Sequence, residues 1–265
     1  IYDSIYLNSN TLIGEGNVMI DASNVSKGVI ITNPSTLANL RIDHAQDIGV
    51  DIYARDSLIY RIVASNTGVK SFMTSKGHGF SVVGSGNKDY DNYSLCIVSA
   101  ESFNGYNTDG SSKIVRKGGN ADGFQVKYGA SDITFIDTHA HHNSDDGFDF
   151  WKGGIKSENP AFRIFYSSSN YNGRHPTKPN GDGNGFKFGS SNNYQKLRGK
   201  DEGDRLIYGS VACKNKNRGF DRNKSPTKII SLGNEAKGNK ENYKDVRNKK
   251  VKDDLNVLKC KMFYN

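Results

Sequence analysis

A four-residue unit, Gly-Phe-x-x, occurs five times in this chain, and its spacing restricts the possible folds more than any other feature. The copies are Gly79-Phe80-Ser81-Val82, Gly123-Phe124-Gln125-Val126, Gly147-Phe148-Asp149-Phe150, Gly185-Phe186-Lys187-Phe188 and Gly219-Phe220-Asp221-Arg222, at Gly-to-Gly intervals of 44, 24, 38 and 34 residues. Short strand-like units returning at irregular intervals of roughly 20 to 45 residues are the pattern of a solenoid whose turns carry insertions of different length. Alternation along a strand sends each Phe and the residue two later to the same side. Those pairs read Phe80/Val82, Phe124/Val126, Phe148/Phe150, Phe186/Phe188 and Phe220/Arg222, apolar in all but the last, and predict an inward ladder. The residue between them faces outward: Ser81, Gln125, Asp149, Lys187 and Asp221. The residue before each Gly forms a second column at the bend: His78, Asp122, Asp146, Asn184 and Arg218. The expected fold is all-β, a right-handed parallel β-helix whose equivalent positions stand about 4.8 Å apart on adjacent rungs.

The rest of the chain reads consistently with one such domain over residues 1–265. In the N-terminal third, Asn17–Ile20, Gly28–Ile31, Gly49–Ile52 and Ser57–Tyr60 carry β-branched or aromatic residues and read as strands. Gly28, Gly49 and Gly68 follow at 21 and 19 residues, about one uninserted rung. Bends ending in Asn recur at Ala22-Ser23-Asn24, Ala64-Ser65-Asn66, Ala140–Asn143 and Ala212–Asn215. Asn tolerates the left-handed backbone and can bond to its copy on the next rung, which predicts an asparagine ladder. Insertions interrupt the turns near 85–93, 104–119 and 172–183, and the last leads directly into the Lys187 rung. Residues 237–261 hold nine Lys/Arg against four Asp/Glu and read as a solvated segment closing the last rungs.

Charge and cysteine usage narrow the function classes. A net charge of +8 and a pI near 9.2 point to an anionic partner, nucleic acid or acidic polysaccharide. No nucleic-acid motif is present and the basic residues are scattered through loops, which favours the polysaccharide. Cys96, Cys213 and Cys260 have no paired spacing; Cys96 and Cys213 sit in apolar strands and read as small core residues, with no disulfide framework. No apolar run approaches the roughly 20 residues of a membrane span. The chain opens at Ile1 without a signal sequence, as a mature secreted form or a trimmed one would. A secreted monomer with no membrane association is the expectation.

The register gathers chemistry at one place. Asp122 and Asp146 fall on adjacent rungs, with Asp145 and Asp149 close by. One or two aspartates at such bends are ordinary Asx-turn caps. Four so close together would repel one another and raise their pKa values unless a cation sits among them. Ligands that are all oxygen favour Ca²⁺ over Zn²⁺. Lys187 stands one rung beyond Asp149 in the outward column. A cation beside a lysine on a β-helix face is the equipment for β-elimination on a uronic acid, although an outward lysine is also ordinary on such a face. Trp151, the only tryptophan, can stack on a sugar ring or pack at the rim.

Asn120-Ala121-Asp122-Gly123-Phe124, Asn143-Ser144-Asp145-Asp146-Gly147-Phe148-Asp149, Gly183–Gly189 and Gly219–Asn223, taken in order, resemble the signature of the family 9 polysaccharide lyases, of which pectate lyases are the best-known members. The resemblance covers residues 120–245, and the N-terminal third only through its strand pattern. It implies that Asp122, Asp145, Asp146 and Asp149 bind Ca²⁺ and that Lys187 is the Brønsted base. The family usually has Trp at the position of Phe148 and Gln at that of Arg222. Arg222 and Arg218 are therefore candidate contacts for a substrate carboxylate. The implied activity is calcium-dependent β-elimination on a 4-linked uronate polysaccharide, polygalacturonate first among them. Two other readings stay open. A β-helix can hold a glycan without cutting it. Asn107–Gly110, Ser144–Gly147 and Gly77-His78-Gly79 are similar to the acid cluster and histidine of family 28 glycoside hydrolases, but here the histidine precedes the acids.

Overall fold

The computed structural model describes residues 2–68, 77–84, 91–106, 118–151, 161–174, 180–189, 205–225 and 229–249. Among them the strands form two sheets, of nine and fourteen strands, with parallel pairing. The nine-stranded sheet takes one strand from each turn: Ile5–Leu7, Lys27–Ile31, Ile48–Ile52, His78–Val83, Phe124–Lys127, Phe148–Trp151, Phe186–Lys187, Arg218–Asp221 and Glu241–Lys244. Between these strands the chain passes through the second sheet and returns one rung further on. The coil is right-handed, the hand that β-crossover-β connections adopt. Rung length varies as the insertions require: Val29 pairs with Val50, but Phe80 pairs with Phe124.

The second sheet begins with long strands, Thr11–Asp21, Thr36–Asp43 and Leu58–Ser65. Later turns divide the same path into two short strands, as in Ala130–Ile136 followed by His139–His141 and Phe162–Phe165 followed by Ser168–Asn170. The division falls at one left-handed residue per turn: Ser99 (φ 49), Asp137 (φ 52), Tyr166 (φ 50), Gly209 (φ 58) and Gly233 (φ 59). In the long strands Asn39 and Arg61 hold that position and conformation. Only two of these residues are glycine, so most carry the cost of placing a side chain in that region, about 1–2 kcal/mol each. The rung ladder continues through the bend and holds it. Ser99 donates its N–H to Ile136 O at 2.9 Å, Asp137 to Phe165 O at 3.0 Å and Tyr166 to Tyr208 O at 3.0 Å.

The predicted inward ladder is the core. Phe80, Phe124, Phe148, Phe186 and Phe220 stack with ring centroids 4.6–5.0 Å apart, and Tyr243 extends the column at 5.2 Å. Phe135 of the opposite sheet packs edge-on against Phe124 and Phe148. All of these phenylalanines are buried. The glycine before each Phe is required by close approach: a Cβ on Gly123 would lie 2.7 Å from both Gly147 O and Ala140 Cβ.

The asparagine ladder also forms, with members the sequence pattern did not supply. Asn172 Oδ1 accepts the backbone N–H and the side-chain amide of Asn143, both at 3.1 Å. Asn215 does the same for Asn172, and Asn239 for Asn215. Asn66 is one position off this ladder: it shares the left-handed position with Asn104, His142, Tyr171 and Lys214.

Three expectations are corrected. Gly68 is not a rung equivalent of Gly49; Gly79 is, and Gly68 instead takes a φ of 80 against the Tyr106 carbonyl. Cys96 is exposed and free, because it alternates with the buried Leu95 and Ile97. Cys213 is buried as expected but is disulfide-bonded. Cys260 lies outside the described residues, as does the chain beyond Lys249. No helix among the described residues is long and apolar enough to cross a membrane.

Candidate active site

The bend column is a hydrogen-bonded ladder in which each side chain caps the rung above it. Asp122 donates its N–H to His78 Nδ1 at 3.2 Å, Asp146 to Asp122 Oδ1 at 3.0 Å, and Asn184 to Asp146 Oδ1 at 2.6 Å. Arg218 continues the series by donating its N–H to Asn184 Oδ1 at 3.3 Å. One oxygen of Asp122 and one of Asp146 are thereby fixed by the backbone. The second oxygen of each is turned toward the outward column, where Asp122 Oδ2 accepts from Gln125 Nε2 at 3.3 Å and Asp146 Oδ2 from Lys187 Nζ at 2.8 Å.

The outward column is in the predicted register: Ser81, Gln125, Asp149, Lys187 and Asp221 are successive strand partners. Lys187 Nζ lies 3.3 Å from Asp149 Oδ2, so one ammonium bridges two carboxylates from the adjacent rung. Oxygens of Asp122, Asp146 and Asp149 all lie within 4.8 Å of one another, and the three side chains are buried. Asp149 Oδ1 is buried and, among the described residues, meets no hydrogen-bond donor.

Burial and mutual repulsion set the electrostatics. Asp122 is pushed well above the usual carboxylate range by burial, then by the charges of Asp149, Asp145 and Asp146. Burial lifts Asp149 to about 6 against the opposing pull of Lys187. Burial and Asp146 lift Asp145 to about 7. For Lys187, burial is the largest influence and favours the neutral amine, yet Asp146, Asp149, Asp145 and Asp122 together outweigh it and keep the side chain protonated. Lys187 is the internal counter-ion of this cluster and opposes, without cancelling, the rise that burial and mutual repulsion impose on its carboxylates.

Asp145 stands apart from the other three carboxylates. Its Oδ1 accepts the N–H of Asp182 at 2.6 Å and its Oδ2 the N–H of Asn120 at 2.7 Å, which ties two inserted loops together. It lines an open cleft of about 430 Å³ with Asn120, Asp182, Lys187, Lys216 and Lys240. The geometry therefore brings Asp122, Asp146, Asp149 and Lys187 together and puts Asp145 in the cleft wall beside them.

The two arginines are placed differently. Arg218 is committed to carboxylates, Asp221 Oδ2 at 2.6 Å and Glu241 Oε2 at 3.4 Å. Arg222 lies just past the end of its strand, half-buried, with its N–H on Lys244 O. Trp151 packs edge-on against Tyr128 at 5.3 Å. Of the hydrolase-like residues, His78 is fully buried beneath Asp122, and Asn107–Gly110 lie outside the described residues. Lys216, Lys240 and Asp182 were not singled out in the sequence. Their signal was position alone, since Lys216 and Lys240 each directly follow a ladder asparagine.

The donor set suits a hard divalent cation. Three buried carboxylates converge, every donor is oxygen, and Asp149 Oδ1 is left without a donor to satisfy it. Ca²⁺ matches that chemistry, taking several carboxylate and carbonyl oxygens in flexible geometry.

The chain is similar to several known proteins. Pectate lyase L of Paenibacillus polymyxa (strain SC2) is 31% identical over 122 residues, which are 44% of this chain and 25% of that protein. The chain thus spans about a quarter of that relative's length. The crystal structure of pectate lyase Pel9A superposes with a TM-score of 0.67 at 18% identity, over 97% of this chain and 68% of that one. A structure of a rhamnogalacturonan lyase superposes with a TM-score of 0.56 at 24% identity, over 88% and 57% respectively. These two likenesses are of fold. A family described as "Pel9A-like, right handed beta helix region" matches residues 4–255. The chain is a member of that Pel9A-like right-handed β-helix family.

Proposed function

We propose that the protein is a secreted, monomeric, calcium-dependent polysaccharide lyase of family 9, built on one β-helix domain and acting on a 4-linked uronate glycan. The observation that carries this reading is Lys187 Nζ, held 2.8 Å from Asp146 and 3.3 Å from Asp149 at the wall of an open cleft. Family membership and the names of the two lyases similar in fold support the same chemistry. Asp122, Asp146 and Asp149 would hold Ca²⁺, with Asp145 at its edge. When bound, the ion supplies a Lewis acid for the substrate carboxylate and so acidifies the proton at C5.

The chain's own groups do the rest. Lys187 can accept a proton only as the free amine, and the carboxylates that hold it protonated belong to the proposed cation site. Neutralising Asp146 and Asp149 removes that restraint. The amine then takes the C5 proton, the C5 electron pair forms the C4–C5 double bond, and the C4–O4 bond breaks with its pair on oxygen. Asp145, by tying Asn120 to Asp182, keeps the two loops that frame the cleft in place.

The test is ultraviolet absorbance of the unsaturated product, with polygalacturonate and with rhamnogalacturonan, in calcium and in chelator. Calcium-dependent absorbance supports the reading. Binding of either glycan without absorbance supports a glycan-binding β-helix in its place.

A further inference from the structure

Lys187 does not offer its charge to a substrate, because Asp146 and Asp149 already take it. The cleft nevertheless contains two more ammonium groups. Lys216 and Lys240 line it together with Asn217, in the same cleft as Asp145 and Asp182. Both lysines are exposed, and among the described residues neither is in an ion pair with a carboxylate. That sets them apart from Arg218, which faces Asp221 and Glu241, and from Lys27, which faces Asp51.

Their placement follows from the register. Arg218 pairs with Glu241, so Asn217 and Lys240 occupy equivalent positions on successive rungs, about 4.8 Å apart. The cleft therefore crosses rungs along the axis of the solenoid, from Asn120 and Asp145 past Lys187 to Lys216, Asn217 and Lys240. Lys216 Nζ is fixed by Gly181 O at 2.6 Å and Asn180 O at 3.4 Å. An ammonium carries three donors, so one remains for a ligand. An extended chain laid in this cleft passes Asp145, Asp182 and Lys187 and meets two ammonium groups that, among the described residues, are in no ion pair with a carboxylate.

We propose that Lys216, Asn217 and Lys240 form a second subsite, which takes the carboxylate of a uronate beyond the one at Lys187. The substrate is then a run of neighbouring uronates, such as polygalacturonate, and not a glycan in which each uronate is followed by a neutral sugar. This inference rests on the lyase reading above and adds to it the charge pattern of the substrate.

The experiment compares Lys240→Glu, Lys240→Ala and Lys240→Arg in the full calcium-loaded chain, with steady-state kinetics on polygalacturonate and on rhamnogalacturonan. Loss of one charge-assisted contact raises KM on polygalacturonate about tenfold in Lys240→Ala, and further in Lys240→Glu. Lys240→Arg keeps the charge and restores KM, while kcat changes little across the series because Lys240 does not touch the reacting atoms. Calcium binding by the aspartates is unaffected in all three variants. An unchanged KM in Lys240→Glu, or a wild-type preference for rhamnogalacturonan, overturns the subsite and leaves the lyase reading standing. No product absorbance from wild type on either glycan overturns both.

Discussion

Asp149 is the one member of the acidic cluster with no backbone bond at either oxygen, and Oδ1 is buried without a donor among the described residues. Its charge is costly in the metal-free protein, which is why its pKa rises to about 6. Asp149→Asn should therefore raise the thermal midpoint of the metal-free protein at neutral pH. The same change should abolish the further rise that Ca²⁺ gives wild type, because binding to the native state is what stabilises it. A midpoint that falls without calcium, or an undiminished calcium response, would show that Asp149 is not part of a cation site. Asp146 cannot be tested so cleanly, since its Oδ1 also caps the Asn184 rung.

The pH dependence follows from the same residues. The folded pKa values of Asp145 and Asp149, about 7 and about 6, lie above the ordinary 3.8. Between about pH 4 and pH 7 the folded protein thus binds more protons than the unfolded chain, and stability falls as pH rises through that window. Thermal midpoints in chelator should decline from pH 5 to pH 7.5 and then level off, and saturating Ca²⁺ should flatten the decline. A metal-free midpoint that climbs over the same range would contradict the charge assignment. Lys187, with its pKa raised by the ionised aspartates, adds stability that is lost as pH rises through its raised folded value.

At the scale of the rung, two ladders hold the solenoid together by different means. Phe148 lies between Phe124 and Phe186 at 4.8 and 4.6 Å, fully buried. Phe148→Ala should destabilise by about 3–5 kcal/mol, the range of large core truncations. Asn172 instead receives two hydrogen bonds from Asn143 and donates to Ser169, Ala140 and Asn215. Asn172→Ala leaves the buried Asn143 amides without their acceptor and should cost about 1–3 kcal/mol. Urea unfolding of the calcium-loaded variants measures both, and an Asn172→Ala loss larger than that of Phe148→Ala would reverse this ranking.

The two ladders also show what the sequence could disclose. The Phe column was legible because strand alternation fixes which residues share a face, and the glycine before each Phe marked the rung. The same alternation, applied to Leu95-Cys96-Ile97, would have placed Cys96 outside. Members of the asparagine ladder at Asn172 and Asn239 were hidden by unequal loop lengths, since nothing local ties them to Asn143. The pairing of Arg218 with Glu241 was hidden for a similar reason: the partner comes from the next rung.

For the whole molecule, the lysines that line the cleft are of two kinds. Lys187 is paired with Asp146 and Asp149, whereas Lys216 and Lys240, among the described residues, are in no ion pair with a carboxylate. The acidic cluster was legible because its members sit beside the Gly-Phe motif. The role of Asp145 as a tie between Asn120 and Asp182 was not, because one partner follows and the other lies in an insertion of irregular length. The central claim is that Lys187 removes a proton from a uronate held next to a calcium site. Initial rates of unsaturated-product absorbance on polygalacturonate, for wild type and Lys187→Ala at saturating calcium, test it most directly. The account predicts a loss of several orders of magnitude in the variant, with its calcium-induced thermal stabilisation retained; turnover near the wild-type rate in Lys187→Ala would contradict it.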